Sequence, residues 1–244
     1  MLRFLQLPER FVVLPEFAKN IPAILEPEIA RIWEAEKSER GPGLFNGLLF
    51  SVAELSGKIV SGGFVEYRIY LAQLRRPELF TELRVQPLAV TGLLQNTEGI
   101  FFGFRSSRSA QQPHCWELVP AGGIDTSRLT HSGQIEPHRQ LLAELEEELG
   151  LKPSDVRPPR LVGFCEETEQ HIFDLVWDLE TTLATKMILA AQTAIQNPEH
   201  AEIRCVPWRN LEAFLTDSRR AIAAGNRELL RHVAPDKRWM RSAD

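Results

Sequence analysis

Ala143-Glu144-Leu145-Glu146-Glu147-Glu148-Leu149-Gly150-Leu151 decides how this chain is read. Four glutamates fall within five residues, at the end of a stretch with helical periodicity and just before a glycine. At about 100° per residue, Glu144, Glu147 and Glu148 share one face, while Leu141, Leu142, Leu145 and Leu149 share another. Glu146 points elsewhere. The carboxylate face costs stability, because glutamates four residues apart repel and the last turns of a helix carry partial negative charge. A divalent cation relieves that cost, and hard cations such as Mg²⁺ prefer carboxylate oxygens. Glutamate runs are commonly solvated faces, so the surroundings matter. Here Pro120-Ala121-Gly122-Gly123 precedes the helix, Gly150 ends it and Pro153 follows.

Composition narrows the class. The 244 residues, 43% hydrophobic and 25% charged, have the make-up of a soluble globular protein with one large domain or a domain and a smaller partner. A net charge of −5 argues against a broad nucleic-acid-binding face, which needs excess lysine and arginine. Cys115, Cys165 and Cys205 are odd in number and lack C-x-x-C spacing, so neither a disulfide framework nor a zinc knuckle is indicated. No apolar run approaches the length that spans a bilayer. The start, Met1 to Gln6, lacks the apolar core of a signal peptide. A cytoplasmic protein without a membrane or nucleic-acid partner is expected.

Along the chain, residues 1–85 read as a first, α+β region. It has a short strand at Phe11 to Leu14 and a helix from Pro27 to about Glu39, where proline suits the first turn. Two strands follow, Leu44 to Leu55 and Lys58 to Val60, the second ended by Gly62-Gly63, and then a helix from Phe64 to Arg75. Residues 86–220 form the main domain. Leu88 to Leu94 and Ile100 to Arg105 read as a hairpin around Asn96-Thr97-Glu98-Gly99. Trp116 to Val119 is a short strand, 124–135 a polar loop, and Pro137 to Leu149 the glutamate helix, with Gly150 as its left-handed terminator. Strands are expected at Arg160 to Cys165, His171 to Trp177 and Glu202 to Trp208, and helices at Thr181 to Ile195 and Leu211 to Arg220. Residues 221–244 read as a helix ending in a basic tail. This order suits an α/β/α sandwich with a mixed sheet.

Several chemistries are excluded by pattern. Ser56-Gly57-Lys58-Ile59 lacks the Ser or Thr of a phosphate-binding loop, and Gly122-Gly123-Ile124-Asp125 is not a dinucleotide fingerprint. Neither H-E-x-x-H nor G-x-S-x-G occurs. The six histidines are scattered and read as surface or satisfied core residues.

The glutamate helix resembles the motif of the Nudix hydrolases, G-x5-E-x7-R-E-U-x-E-E-x-G-U with U aliphatic. Residues 144–151 match its second half at every specified position. The first half departs from it: the arginine position is Ala143, the first glutamate position Ile135 and the first glycine position Leu129. If Gly123 is the motif glycine, the loop to the helix carries six extra residues, 27 positions to Gly150 instead of 21. The arginine and first glutamate commonly pair in that family, so both partners of one ion pair are missing, which is milder than losing one. Arg139 and Glu136 form a conceivable shifted pair. The likeness spans roughly residues 86 to 216.

The resemblance implies a Nudix-type α/β/α sandwich and a hydrolase that uses Mg²⁺ or Mn²⁺ on a small-molecule nucleotide. Glu144, Glu147 and Glu148 would hold the metal, and Glu144 could also accept the proton of the attacking water. Glu199 and Glu202 are candidates for a further base. Gly122 and Gly123 would let the backbone approach the phosphates, and Arg105, with Arg108 a looser choice, could contact one. Phe164, Phe173 and Trp177 could stack on a base, although aromatics at strand spacing are more often core. Leu44-Phe45-Asn46-Gly47 and the elements after it are similar to the N-terminal region of Nudix enzymes acting on nucleotide sugars, which ranks those substrates first. The alternative is a Nudix-fold sensor or interaction module without turnover. A homodimer is compatible with either.

Overall fold

The computed structural model describes residues 1–15, 17, 21–107, 109–196, 198–223 and 225–233. The N-terminal part contains β1 (Leu2–Phe4), β2 (Arg10–Val13), α1 (Glu26–Arg40), β3 (Leu48–Ser56), β4 (Ile59–Glu66), α2 (Tyr67–Arg75) and α3 (Phe80–Leu83). Then come β5 (Leu88–Gln95), β6 (Gly99–Arg105), β7 (Trp116–Leu118), β8 (Ala121–Gly123) and α4 (Pro137–Leu149). The chain continues through β9 (Arg160–Glu167), β10 (Ile172–Glu180), α5 (Thr185–Thr193), β11 (His200–Pro207), α6 (Leu211–Thr216) and α7 (Asn226–Val233).

The apolar run after Pro87 becomes β5, buried at the centre of a mixed sheet in the order β1-β9-β10-β5-β6-β11. β5 runs parallel to β10, and the other pairs are antiparallel. Alternate side chains feed two cores, as the strand period requires. Val90 and Leu175 join Leu141, Leu145 and Leu149 of α4 and Ile188 of α5 on one face. Leu93 and Val176 join Phe214 of α6 and Leu229 of α7 on the other. The expected α/β/α sandwich is the observed architecture.

The hairpin holds only at its turn. Asn96 Oδ1 accepts the backbone N–H groups of Glu98 and Gly99, and Gln95 pairs with Ile100. Beyond that point β5 and β6 diverge, because β8 bonds along β5 and β7 along β6. The divergence opens the centre of the domain.

In the N-terminal region β2, β4 and β3 form a separate small sheet beside α1 and α2. Gly62 and Gly63 lie inside β4 rather than ending it, a correction with a steric cause. A side chain at Gly62 would strike the Ser51 carbonyl, and one at Gly63 the Phe17 ring. β1 was not expected; it leaves this region and pairs with β9. β3 bonds along its outer edge to the main domain, through Phe50 N to the Ile124 carbonyl and Val52 N to the Gln86 carbonyl, both at 2.8 Å. The basic end expected at the C-terminus lies outside the described residues from 234 onward.

Glu36 of α1 clamps the two parts together. Its buried carboxylate accepts Arg40 Nε at 2.7 Å and Arg75 Nη2 at 2.9 Å. The same arginines donate to the Ser109 and Ala110 carbonyls of the loop after β6. The Arg75 hydrogen bond, then that of Arg40, outweighs burial and holds the Glu36 carboxyl down at about 2, from 4.5. A depressed carboxyl stabilises the fold above its unfolded pKa, and that contribution is lost as pH falls through the folded one. Glu36→Gln should therefore cost about 2 kcal/mol at pH 7. In thermal unfolding the gap to the wild type should shrink between pH 4.5 and 2.

Candidate active site

The leucine face of α4 is buried, and the helix packs against β8 and β5 with Glu148 buried and Glu144 half-buried. Gly122 of β8 makes room for it: a side chain there would overlap the Glu144 carboxylate. A cavity of about 420 Å³ opens at this place, with Gly122, Gly123, Asp125, Glu144 and Glu199 around it. Arg105, Glu117, Thr91 and Asp174 also line it. Burial pushes the Asp174 carboxyl up to about 6, against the hydrogen bond from Thr91 Oγ1 at 2.7 Å and with the help of Glu117.

Glu148 is buried behind Ala121, whose N–H it accepts at 3.3 Å through Oε1. Its Oε2 has no hydrogen-bond partner among the described residues. His200 Nδ1 lies 3.9 Å from that oxygen, and His200 Nε2 lies 2.7 Å from Glu117 Oε1. Burial first, then Glu117, Glu144 and Glu199, raise the Glu148 carboxyl well above the usual carboxylate range. Glu144 is half-buried, and desolvation brings it to about 7 against the pull of the Gln140 amide, with Glu147, Glu199 and Asp125 adding to the rise. Glu147 lies on the exposed side of the same helix.

Gln140 Nε2 donates to Glu144 Oε1 at 2.7 Å, and Gln140 Oε1 accepts Arg128 Nε at 2.9 Å. Arg128 belongs to the turn at Thr126–Arg128, capped by Asp125, in the long loop before α4. Ala143 is half-buried and Ile135 buried in the core, so the motif's ion-pair positions carry no charge. Arg139 does pair with Glu136, at 3.1 Å, on the outer side of the helix start.

The other expected residues are distributed unevenly. Arg105 reaches the cavity, but its Nη1 is held by both Glu117 oxygens at 2.6 and 2.7 Å and its Nη2 lies 3.3 Å from Glu199. Glu202 lies apart from the cavity. Its exposed carboxylate takes Arg204 at 2.6 Å, and the Arg204 guanidinium lies over the Trp116 ring at 4.5 Å, away from the cavity. The register shift between His200 and Glu202 separates the two. Glu199, one residue before β11, is the acid that lines the cavity. Phe164 and Phe173 stack on each other in the core, and Trp177 packs against the same core. Arg108 lies outside the described residues. Sequence reading missed Gln140, Glu117 and His200. Gln140 was within reach, since it stands one turn before Glu144; the other two are placed by strand pairing alone.

No protein-family model matches the sequence, and no curated protein matches it. Among solved structures, DR0079 from Deinococcus radiodurans superposes with a TM-score of 0.51 at 15% identity, covering 76% of this chain and 98% of that one. The Nudix hydrolase RenU from M. smegmatis is similar at TM-score 0.43 and 17% identity, covering 62% and 88%. The E. coli ORF135 protein is similar at TM-score 0.41 and 20% identity, covering 65% and 95%. The chain shares its fold with DR0079, and residues 144–151, which match the second half of the motif, lie on a helix seated against a mixed sheet between helical layers.

Proposed function

We propose that this chain is a Nudix hydrolase that requires Mg²⁺ or Mn²⁺ and cleaves the phosphoanhydride of a nucleoside diphosphate linked to another moiety. One observation carries the reading: Glu144 lines a cavity against Gly122, and one turn further on Glu148 is buried behind Ala121 with its Oε2 unpartnered among the described residues. Among the described residues no group of three or more acidic, His or Cys side chains forms a ready-made cation cage. The chemistry nevertheless fits a hard divalent cation, because the donors are carboxylate oxygens and an added positive charge offsets the cost of burying them ionised. Glu144, Glu147 and Glu148 would hold it. Such a cation, when bound, neutralises phosphate charge and acidifies water.

The chain's own groups do the rest. Gly122 and Gly123 let the backbone lie against the diphosphate. Glu144 accepts the proton of the attacking water while a P–O–P bond breaks, giving a nucleoside monophosphate and a phosphorylated partner. Glu199, rather than Glu202, stands where a further base is useful. Arg105 contacts a phosphate by exchanging Glu199 for it. Asp174 and Glu117 also line the cavity, and two acidic groups favour a neutral hydroxyl-bearing group beside them over another phosphate. This supports a nucleotide sugar as the preferred substrate.

Incubation with nucleotide sugars, ADP-ribose, dinucleoside polyphosphates and nucleoside triphosphates, with and without Mg²⁺, tests the reading. Metal-dependent release of a monophosphate is the expected result. The second reading, a ligand sensor without turnover, is favoured by the uncharged positions 135 and 143 and by the carboxylates already holding Arg105. Ligand-induced stabilisation without products across the panel would select it.

A further inference from the structure

Gln140 has a place in the site that neither its type nor the motif assigns. It is 5% exposed, and both ends of its amide are engaged. The direction of that amide is fixed chemically, because a guanidinium nitrogen can only donate. Arg128 Nε therefore selects the Gln140 oxygen and leaves the NH₂ group facing Glu144. Arg128 is itself held twice: its backbone N–H meets the Asp125 carbonyl at 3.4 Å, and its carbonyl accepts Glu136 N at 3.2 Å. The loop is thus tied to the start of α4 at the point where the guanidinium leaves it.

We propose that Arg128 and Gln140 position Glu144 for the cation, in place of the charged pair that Ala143 and Ile135 cannot form. This rests on the reading of Glu144 as a metal ligand. If Gly123 is the motif glycine, the turn that carries Arg128 lies within the lengthened loop. Gln140 pulls the Glu144 carboxylate from the helix side, and Gly122 lies directly against it, so the group is held between the two. A neutral amide fixes the carboxylate without neutralising it, which keeps its charge for the cation. Gln140 is a positioning residue, one step removed from the reaction.

The test uses Mn²⁺ alone, followed by the loss of its free paramagnetic signal on titration with the intact chain. Gln140→Met keeps the length and volume of the side chain and removes both hydrogen bonds. Its Mn²⁺ dissociation constant should rise about 10- to 100-fold, the usual cost of losing a partner that orients a metal ligand. Metal-free thermal unfolding establishes that the variant is folded. Arg128→Met should give a smaller rise, because the amide is then free to turn, and should add little in the Gln140→Met background. Equal Mn²⁺ binding by the wild type and a folded Gln140→Met would overturn the positioning role while leaving the metal site standing. A wild-type chain that binds no Mn²⁺ would overturn both.

Discussion

Glu148→Gln is expected to lower turnover about a thousandfold and, at the same time, to make the metal-free protein more stable. The first effect follows from the proposed role of Glu148 as a ligand of a cation, which would contribute several kcal/mol to the transition state, each ~1.4 kcal/mol being a factor of ten. The second follows from the site itself. Glu148 is buried, its Oε2 has no donor among the described residues, and Glu117, Glu144 and Glu199 add negative potential. A carboxyl whose folded pKa is raised destabilises the fold above its unfolded pKa, and glutamine has no charge to be repelled. The gain should be about 1–2 kcal/mol, or roughly 3–6 °C in Tm for a chain of this size. It should be present at pH 7 and vanish below about pH 4.5, where the unfolded chain also protonates this residue. Mg²⁺ should raise the wild-type Tm and not that of the variant. Unchanged turnover in Glu148→Gln would remove it from the metal set, and a lower metal-free Tm would mean that its carboxylate is needed for the fold.

How far the sequence reached depends on which interactions were local. The helix Pro137 to Leu149 and its Gly150 terminator were legible because proline, the leucine period and glycine act within one or two turns, and the structure has those bounds. The divergence of β5 and β6 was not, since it depends on β8 pairing with β5 from 30–34 residues away and β7 with β6 from 12–16 residues away. Gly62 and Gly63 look like punctuation in one dimension; the packing of Ser51 and Phe17 against them is visible only in three. Arg105 lines the cavity, but its carboxylate partners, which come from β7 and from the residue before β11, could not be read from the sequence. Glu202 was assigned from its nearness to the last strand, and a one-residue register shift sends it to the other side. Strand residues have a period of two, so their facing is lost with a single bulge. Helix residues tolerate such uncertainty better, which is why the glutamates of α4 were easier to read than the acids of β11.

The steric side of the site is open to an equally sharp test at Gly122. Gly122→Ala adds one methyl group at a backbone conformation that alanine can adopt, since this glycine is not in the left-handed region. The methyl would occupy the position of the Glu144 carboxylate. The carboxylate must then leave, breaking the Gln140 hydrogen bond and the arrangement facing the cavity, while the pairing of β8 with β5 through Val90 is kept. Turnover should fall about 100-fold or more, as when a catalytic group is displaced by an ångström. The decisive measurement is the double variant. With Glu144→Gln already in place, little activity remains for Gly122→Ala to remove, so the two losses should be far from additive. Additive losses, with Gly122→Ala folded and active on its own, would mean that the glycine serves the approaching phosphate and not Glu144. The two roles are separable in kinetics: crowding the phosphate alone raises KM, whereas displacing Glu144 lowers kcat, and the contact between Gly122 and Glu144 makes the fall in kcat the expected result.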